Sequence, residues 1–262
     1  MQNHEIDYHL YGEEMQFVEI ELDPQETVIA ESGSFMMMNE GITMQTIFGD
    51  GTQQQGGLFG KLLSAGKRIL TGESLFMTAF TNTGGGKRKV SFAAPYSGKI
   101  IPLNLKTLGS KVVCQKDAFL CAAKGVAVGI ELQRRLGTGL FGGEGFIMQK
   151  LEGDGMAFVH AGGMVVEKNL EVGEVLKVDT GCVVAYTGRV DFDIEFVGGI
   201  KNTLFGGEGL FFATLRGPGK VWLQSLPISR LADRILRYGR GTRKEEGSML
   251  GGLGNLLDGD GF

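Results

Sequence analysis

Three histidines, His4, His9 and His160, are the chain's whole supply of imidazole. General acid–base catalysis near neutral pH and many metal sites draw on that side chain, so the material for either is thin. His4 and His9 could meet Glu5 or Asp7 on a metal ion, but histidines so close to a terminus are ordinarily just solvated. His160, ahead of Ala161-Gly-Gly163, is expected as a hydrogen-bonded turn residue. Cys114, Cys121 and Cys182 form no Cys-x-x-Cys pair, and no histidine stands near them. That argues against a thiolate zinc site or a disulfide framework and fits a reducing compartment. Nucleotide chemistry fares no better. Gly56-Gly-Leu-Phe-Gly-Lys61 ends like a phosphate loop, yet Gln55 takes the first-glycine place and Leu62 the place of the magnesium-binding Ser or Thr. No Gly-x-Ser-x-Gly elbow occurs, and no cofactor is expected.

The remaining acids of interest are Glu73, Glu144 and Glu208, each preceded by Gly72, Gly143 or Gly207. Brought together by threefold symmetry they could hold a cation. Repetition favours the other reading. A catalytic site needs different groups in different roles, whereas one feature in every unit answers a problem that every unit shares. Here that problem is a glycine-permitted bend whose exposed N–H groups a carboxylate can accept. Met36-Met-Met38, with Met44, offers a soft surface, but successive strand residues face opposite ways, so core filling is expected.

The elements that position these residues come in repeats. Leu140-Phe-Gly-Gly-Glu-Gly145 recurs letter for letter as Leu204-Phe-Gly-Gly-Glu-Gly209, and Leu151-x-Gly-x-Gly155 recurs as Leu215-x-Gly-x-Gly219. Thr71-Gly-Glu-Ser-Leu-Phe-Met77 is a weaker third copy. Upstream, the segment from Asp179 resembles those from Glu31 and, loosely, Lys116. Three β units follow, about 1–98, 99–165 and 166–228, the first enlarged by an insertion. Phe17–Leu22, Ile42–Ile47 and Val190–Val197 alternate apolar and polar residues, the mark of half-buried strands. Residues 83–89, with Gly84, Gly85 and Gly86, read as a hairpin tip. Forty-four glycines against five prolines exclude collagen and a proline-rich coil and disfavour a helix bundle. With 42% hydrophobic residues the 262-residue chain can fill a core, so it reads as an all-β sandwich, barrel or β-helix-like roll. Helix is expected only over 58–70 and from Pro227 onward.

Gly173–Thr187, then Phe205-Gly-Gly-Glu-Gly209, then Gly217-Pro-Gly-Lys-Val-Trp-Leu-Gln-Ser-Leu-Pro227 resemble the altered-inheritance-of-mitochondria family. Ala30–Phe35 and the Leu70–Phe76 region fit its N-terminal half. The resemblance spans about 5–237. It implies a double-stranded β-helix-like fold, similar in shape to the tryptophan RNA-binding attenuation protein, and a shape used in rings and symmetric assemblies. It implies no reaction and no catalytic residues. The reading is a non-enzymatic scaffold or binding module that forms a homo-oligomer, with a trimer expected; a small-ligand-binding roll is the alternative.

Charge adds one more candidate. Six basic residues between Ile228 and Lys244 face only Asp233, a local +5 within a chain of net −4. Residues 229–262 are expected as an amphipathic helix followed by a mobile glycine-rich tail. On it Arg230, Arg234 and Arg237, with Arg240 beyond, stand apart from the Ile228/Leu231/Ile235 stripe. Such a face can contact anionic lipid headgroups or simply pair with the protein's own acids. RNA is the weaker partner, because only Tyr238 is at hand for stacking, and the acidic balance argues against nucleic acid generally. The polar N-terminus and the lack of a long apolar run predict a cytoplasmic protein.

Overall fold

The computed structural model describes residues 4–48, 76–134, 146–196, 211–236 and 238. The expected 58–70 helix, the phosphate-loop-like segment, the three Gly-Glu boxes (Gly72 and Glu73, Gly143 and Glu144, Gly207 and Glu208), Arg237, Arg240 and the tail lie outside those residues.

The described chain is all-β with one short helix, at 228–236. Strand β1 (Asp7–Tyr11) is followed by three runs of six strands. The first run is β2 (Phe17–Leu22), β3 (Thr27–Glu31), β4 (Phe35–Met38), β5 (Ile42–Phe48), β6 (Phe76–Asn82) and β7 (Arg88–Ala93). The second is β8 (Gly98–Asn104), β9 (Lys111–Gln115), β10 (Phe119–Ala123), β11 (Ala127–Arg134), β12 (Phe146–Glu152) and β13 (Met156–Gly162). The third is β14 (Val165–Leu170), β15 (Val175–Asp179), β16 (Val183–Thr187), β17 (Asp191–Phe196), β18 (Phe211–Arg216) and β19 (Gly219–Gln224).

One antiparallel pairing scheme recurs in all three runs. The sixth strand lies between the first and the third, and the fifth lies between the second and the fourth. Each run is therefore a small sandwich of two three-stranded layers. Even the irregularities repeat: the third strand slips register against the sixth between Phe35 and Met37, Phe119 and Cys121, and Val183 and Ala185. Neighbouring runs are joined by pairing the second strand of one with the third strand of the next, β3 with β10 and β9 with β16. This makes two continuous six-stranded sheets, β5-β6-β3-β10-β13-β8 and β11-β12-β9-β16-β19-β14. A four-stranded sheet, β1-β2-β7-β4, and a three-stranded one, β15-β18-β17, remain at the two ends.

Three apolar cores fill the sandwiches, one around Phe80, Phe92 and Phe158, one around Leu103, Phe119 and Trp222, and one around Phe146, Tyr186 and Leu215. Each large side chain buried there contributes roughly 1.5–3 kcal/mol. Strand β2 alternates half-buried and buried along its whole length, as its sequence requires. Strands β10 and β16, covered on both faces and both edges, are buried at every residue.

Three local expectations are corrected. Residues 83–87 do not close a hairpin, because β6 and β7 belong to different sheets. The segment is a corner, and Asn82 builds it: its Nδ2 donates to the carbonyls of Leu22 and Gly86, and its Oδ1 accepts from the Gly84 N–H. The left-handed glycines of this unit lie elsewhere, at positions such as Gly41 (φ 90°), whose counterpart is Gly125 (φ 106°). The upstream repeat begins at Gln115 rather than Lys116, since Gln115, Glu31 and Asp179 occupy matching places opposite Met148, Met77 and Phe212. Finally, Met36, Met37 and Met38 fill no core. Phe35 and all three are 38–48% exposed, and Met44 is 49% exposed.

Candidate functional site

Several described titratable groups depart from ordinary behaviour. Glu31 ends β3, where burial, reinforced by the Asp117 carboxylate and opposed by Lys116, pushes its pKa up to about 7. His160 sits inside β13 and is 2% exposed. It is no turn residue. Its ring packs edge-on against Tyr96 at 4.5 Å, and neither ring nitrogen finds a partner at hydrogen-bond geometry among the described residues. Burial pulls its pKa down to about 4, with the Tyr96 backbone opposing, so the imidazole is neutral at physiological pH. His4 is also engaged, its Nδ1 accepting from the Thr27 N–H at 2.9 Å. The thiols of Cys114 and Cys121 are buried and held protonated, and burial raises Cys182 as well.

A groove of about 250 Å³ opens between the second and third runs. It is lined by Lys111, Glu131, Leu132, Tyr186, Asp191 and Phe192. Lys111 Nζ pairs with Glu131 at 2.8 Å. Tyr186 stacks on Phe192 at 5.2 Å. Burial, with Glu131, Cys114 and Asp191 nearby, raises the Tyr186 phenol, so at neutral pH it can donate a hydrogen bond but not accept a proton. The groove can hold a small polar molecule. Among the described residues no three His, Cys, Asp or Glu side chains are placed to share a metal ion.

The C-terminal helix begins after Pro227. Arg230 Nη2 donates to Asp179 Oδ2 at 3.0 Å, while Asp179 Oδ1 accepts from the Gly181 N–H. Arg234 is exposed. Of the apolar stripe, Ile228 is exposed by 37% and Ile235 by 63% while Leu231 is half-buried, and the adjacent Leu236 is exposed by 57%. The helix thus presents Arg234 and hydrocarbon outward together. No described helix is long and apolar enough to cross a membrane.

The chain matches the mitochondrial biogenesis AIM24 family over residues 8–226. It belongs to that family. This AIM24-family chain is 32% identical over 229 residues to an uncharacterised protein of Streptococcus pyogenes serotype M6, covering 86% of the chain and 88% of the relative. It also superposes on a Streptococcus pyogenes protein of known crystal structure with a TM-score of 0.70 and 26% identity, covering 89% of this chain and 99% of that one. The family assignment therefore rests on most of the fold, not on one motif.

Sequence reasoning missed Glu31 and the groove. An alignment of the repeats would have exposed the first, because a glutamate stands there where the second run has Gln115. The groove had no such signal, since it combines residues from β9, β11, β16 and the strand after it.

Proposed function

We propose that this AIM24-family protein is a non-enzymatic, self-associating β scaffold. The observation that carries the reading is the apolar strand β4, Phe-Met-Met-Met, exposed at every residue, whose counterparts β10 and β16 are buried throughout. An uncharged apolar edge without lysine or proline is a liability in a lone protein and an asset in an assembly. Native mass spectrometry and analytical ultracentrifugation over a wide concentration range test it. A homo-oligomer is expected, with a trimer the first stoichiometry to look for. A concentration-independent monomer would overturn the scaffold reading.

A second reading is favoured by the helix at 228–236, where exposed Ile235 and Leu236 accompany Arg234. Such a face suits an anionic lipid surface, where each basic residue contributes about 1 kcal/mol and hydrocarbon adds to it. Flotation with anionic vesicles should then fall for Arg234→Glu and for Ile235→Ser. Equal flotation of wild type and both variants would remove the helix from consideration.

A further inference from the structure

Two strand edges are left over by the repeat. Every second strand pairs with the third strand of the following run, β3 with β10 and β9 with β16. The last run has a second strand, β15, and the first run has a third strand, β4. Among the described residues neither has a partner on that outer side. They are the two halves of one further pairing of a type the molecule already makes twice.

We propose that β15 of one copy of this chain adds antiparallel to β4 of a second copy, joining the end sheets into one continuous sheet, β17-β18-β15-β4-β7-β2-β1, across the interface. The inference rests on the self-association reading above and names its seam and its partner.

The internal copies dictate the register. Cys121 faces Ala30 and Ala122 faces Ile29 in one; Ala185 faces Cys114 and Tyr186 faces Val113 in the other. Met37 stands where Cys121 and Ala185 stand, judged by pairing to the sixth strand opposite Ser91, Phe158 and Trp222. Val178 stands where Ala30 and Cys114 stand, judged by pairing to the fifth strand opposite Ala213, Thr78 and Gln149. Met37 of one copy therefore faces Val178 of the other, Met38 faces Lys177, and Asn39 faces Leu176. One turn further on, both internal seams carry the same hydrogen bond, from the Lys124 N–H to the Thr27 carbonyl and from the Gly188 N–H to the Lys111 carbonyl, each at 3.0 Å. The equivalent across the new seam runs from the Glu40 N–H to the Val175 carbonyl.

Exposure supports the same occupant. Strand β4 carries no charge and shows 38–48% of each residue. On β15, Val175 is 51% exposed, while the equivalent Thr27 is 2% exposed in its seam. Exposed edges are ordinarily guarded by lysine, proline or a short length; β4 is short, at four residues, but has neither guarding residue, and β15 carries the single Lys177. The two surfaces differ from one another, so the contact is head-to-tail and extends to a ring or a filament, not a closed twofold dimer.

The phase of the ladder selects the test. Because Lys124 and Gly188 donate across their seams, Cys121 and Ala185, three residues earlier, occupy the non-hydrogen-bonded sites where opposing Cα atoms lie about 4.5 Å apart. Met37 and Val178 inherit that site, and its spacing admits a disulfide. Met37→Cys/Val178→Cys is made in a Cys182→Ser background and oxidised under native conditions, and the products are read on a non-reducing gel beside native mass spectrometry of the wild type. Disulfide-linked ladders of chains are expected. Met37→Cys/Val175→Cys, off register, should link roughly tenfold more slowly. An intrachain disulfide, or equal linkage by both pairs, would overturn the seam. So would no linkage in a protein that mass spectrometry shows to be oligomeric, and that outcome leaves the scaffold reading standing. A wild-type monomer would sink both.

Discussion

Replacing Glu31 by Gln is expected to stabilise the protein at alkaline pH and to leave it unchanged in acid. Glu31 closes β3 beside the 3-10 turn Lys116–Ala118, and burial with Asp117 raises its pKa to about 7. The unfolded chain holds the same carboxyl near its ordinary value of about 4.3. The folded state therefore binds the proton more tightly, and the associated stability is fully present below the unfolded pKa. It is lost as pH rises toward and through 7. A difference of roughly 2.5 pKa units corresponds to about 3 kcal/mol at pH 8. Gln has no charge to desolvate, and the second run already places Gln115 at the matching position, so the amide fits the strand end. Some of the gain is offset by burying the amide, leaving about 1–3 kcal/mol. For a chain of this size that is roughly a 3–10 °C rise in Tm. Urea denaturation of both proteins at pH 4.5 and pH 8 provides the assay, and taking the difference at each pH cancels every other titrating group. An equal difference at both values, or a loss of stability at pH 8, would refute the reasoning.

His160 gives the opposite slope. Its folded pKa lies at about 4, below the unfolded value of about 6.5, so the folded state resists protonation. Stability should fall by up to about 3 kcal/mol as pH drops from 6.5 to 4. His160→Met should flatten that fall in urea titrations, and an unchanged acid slope would count against burial as the cause. Gly162 ends β13 where an added Cβ would overlap the Leu226 backbone carbonyl. Gly162→Ala should shift residues 225–227 and cost about 1–3 kcal/mol. Circular dichroism melts that show no loss would mean the segment yields freely.

Alternation, glycine turns and the repeated boxes were enough to place this chain among all-β proteins, because a two-residue period is a local property that each strand writes by itself. The resemblance carried in residues 173–227 was likewise legible, and the family match over 8–226 agrees with it. What a given strand does with its apolar residues was not legible. Phe-Met-Met-Met at 35–38 and Phe-Leu-Cys-Ala-Ala at 119–123 are both short uncharged apolar runs, yet the first is exposed and the second fully buried. The difference lies in the neighbour. β10 has β3 on its outer edge, and among the described residues β4 has no strand there. His160 repeats the lesson: its sequence context, next to two glycines, predicted a turn, whereas the pairing of β13 with β8 and β10 enclosed it. Local pattern determines that a segment is a strand. Burial, pKa and edge depend on which strands come to lie beside it, and that is settled by contacts between residues as far apart as Ala30 and Cys121.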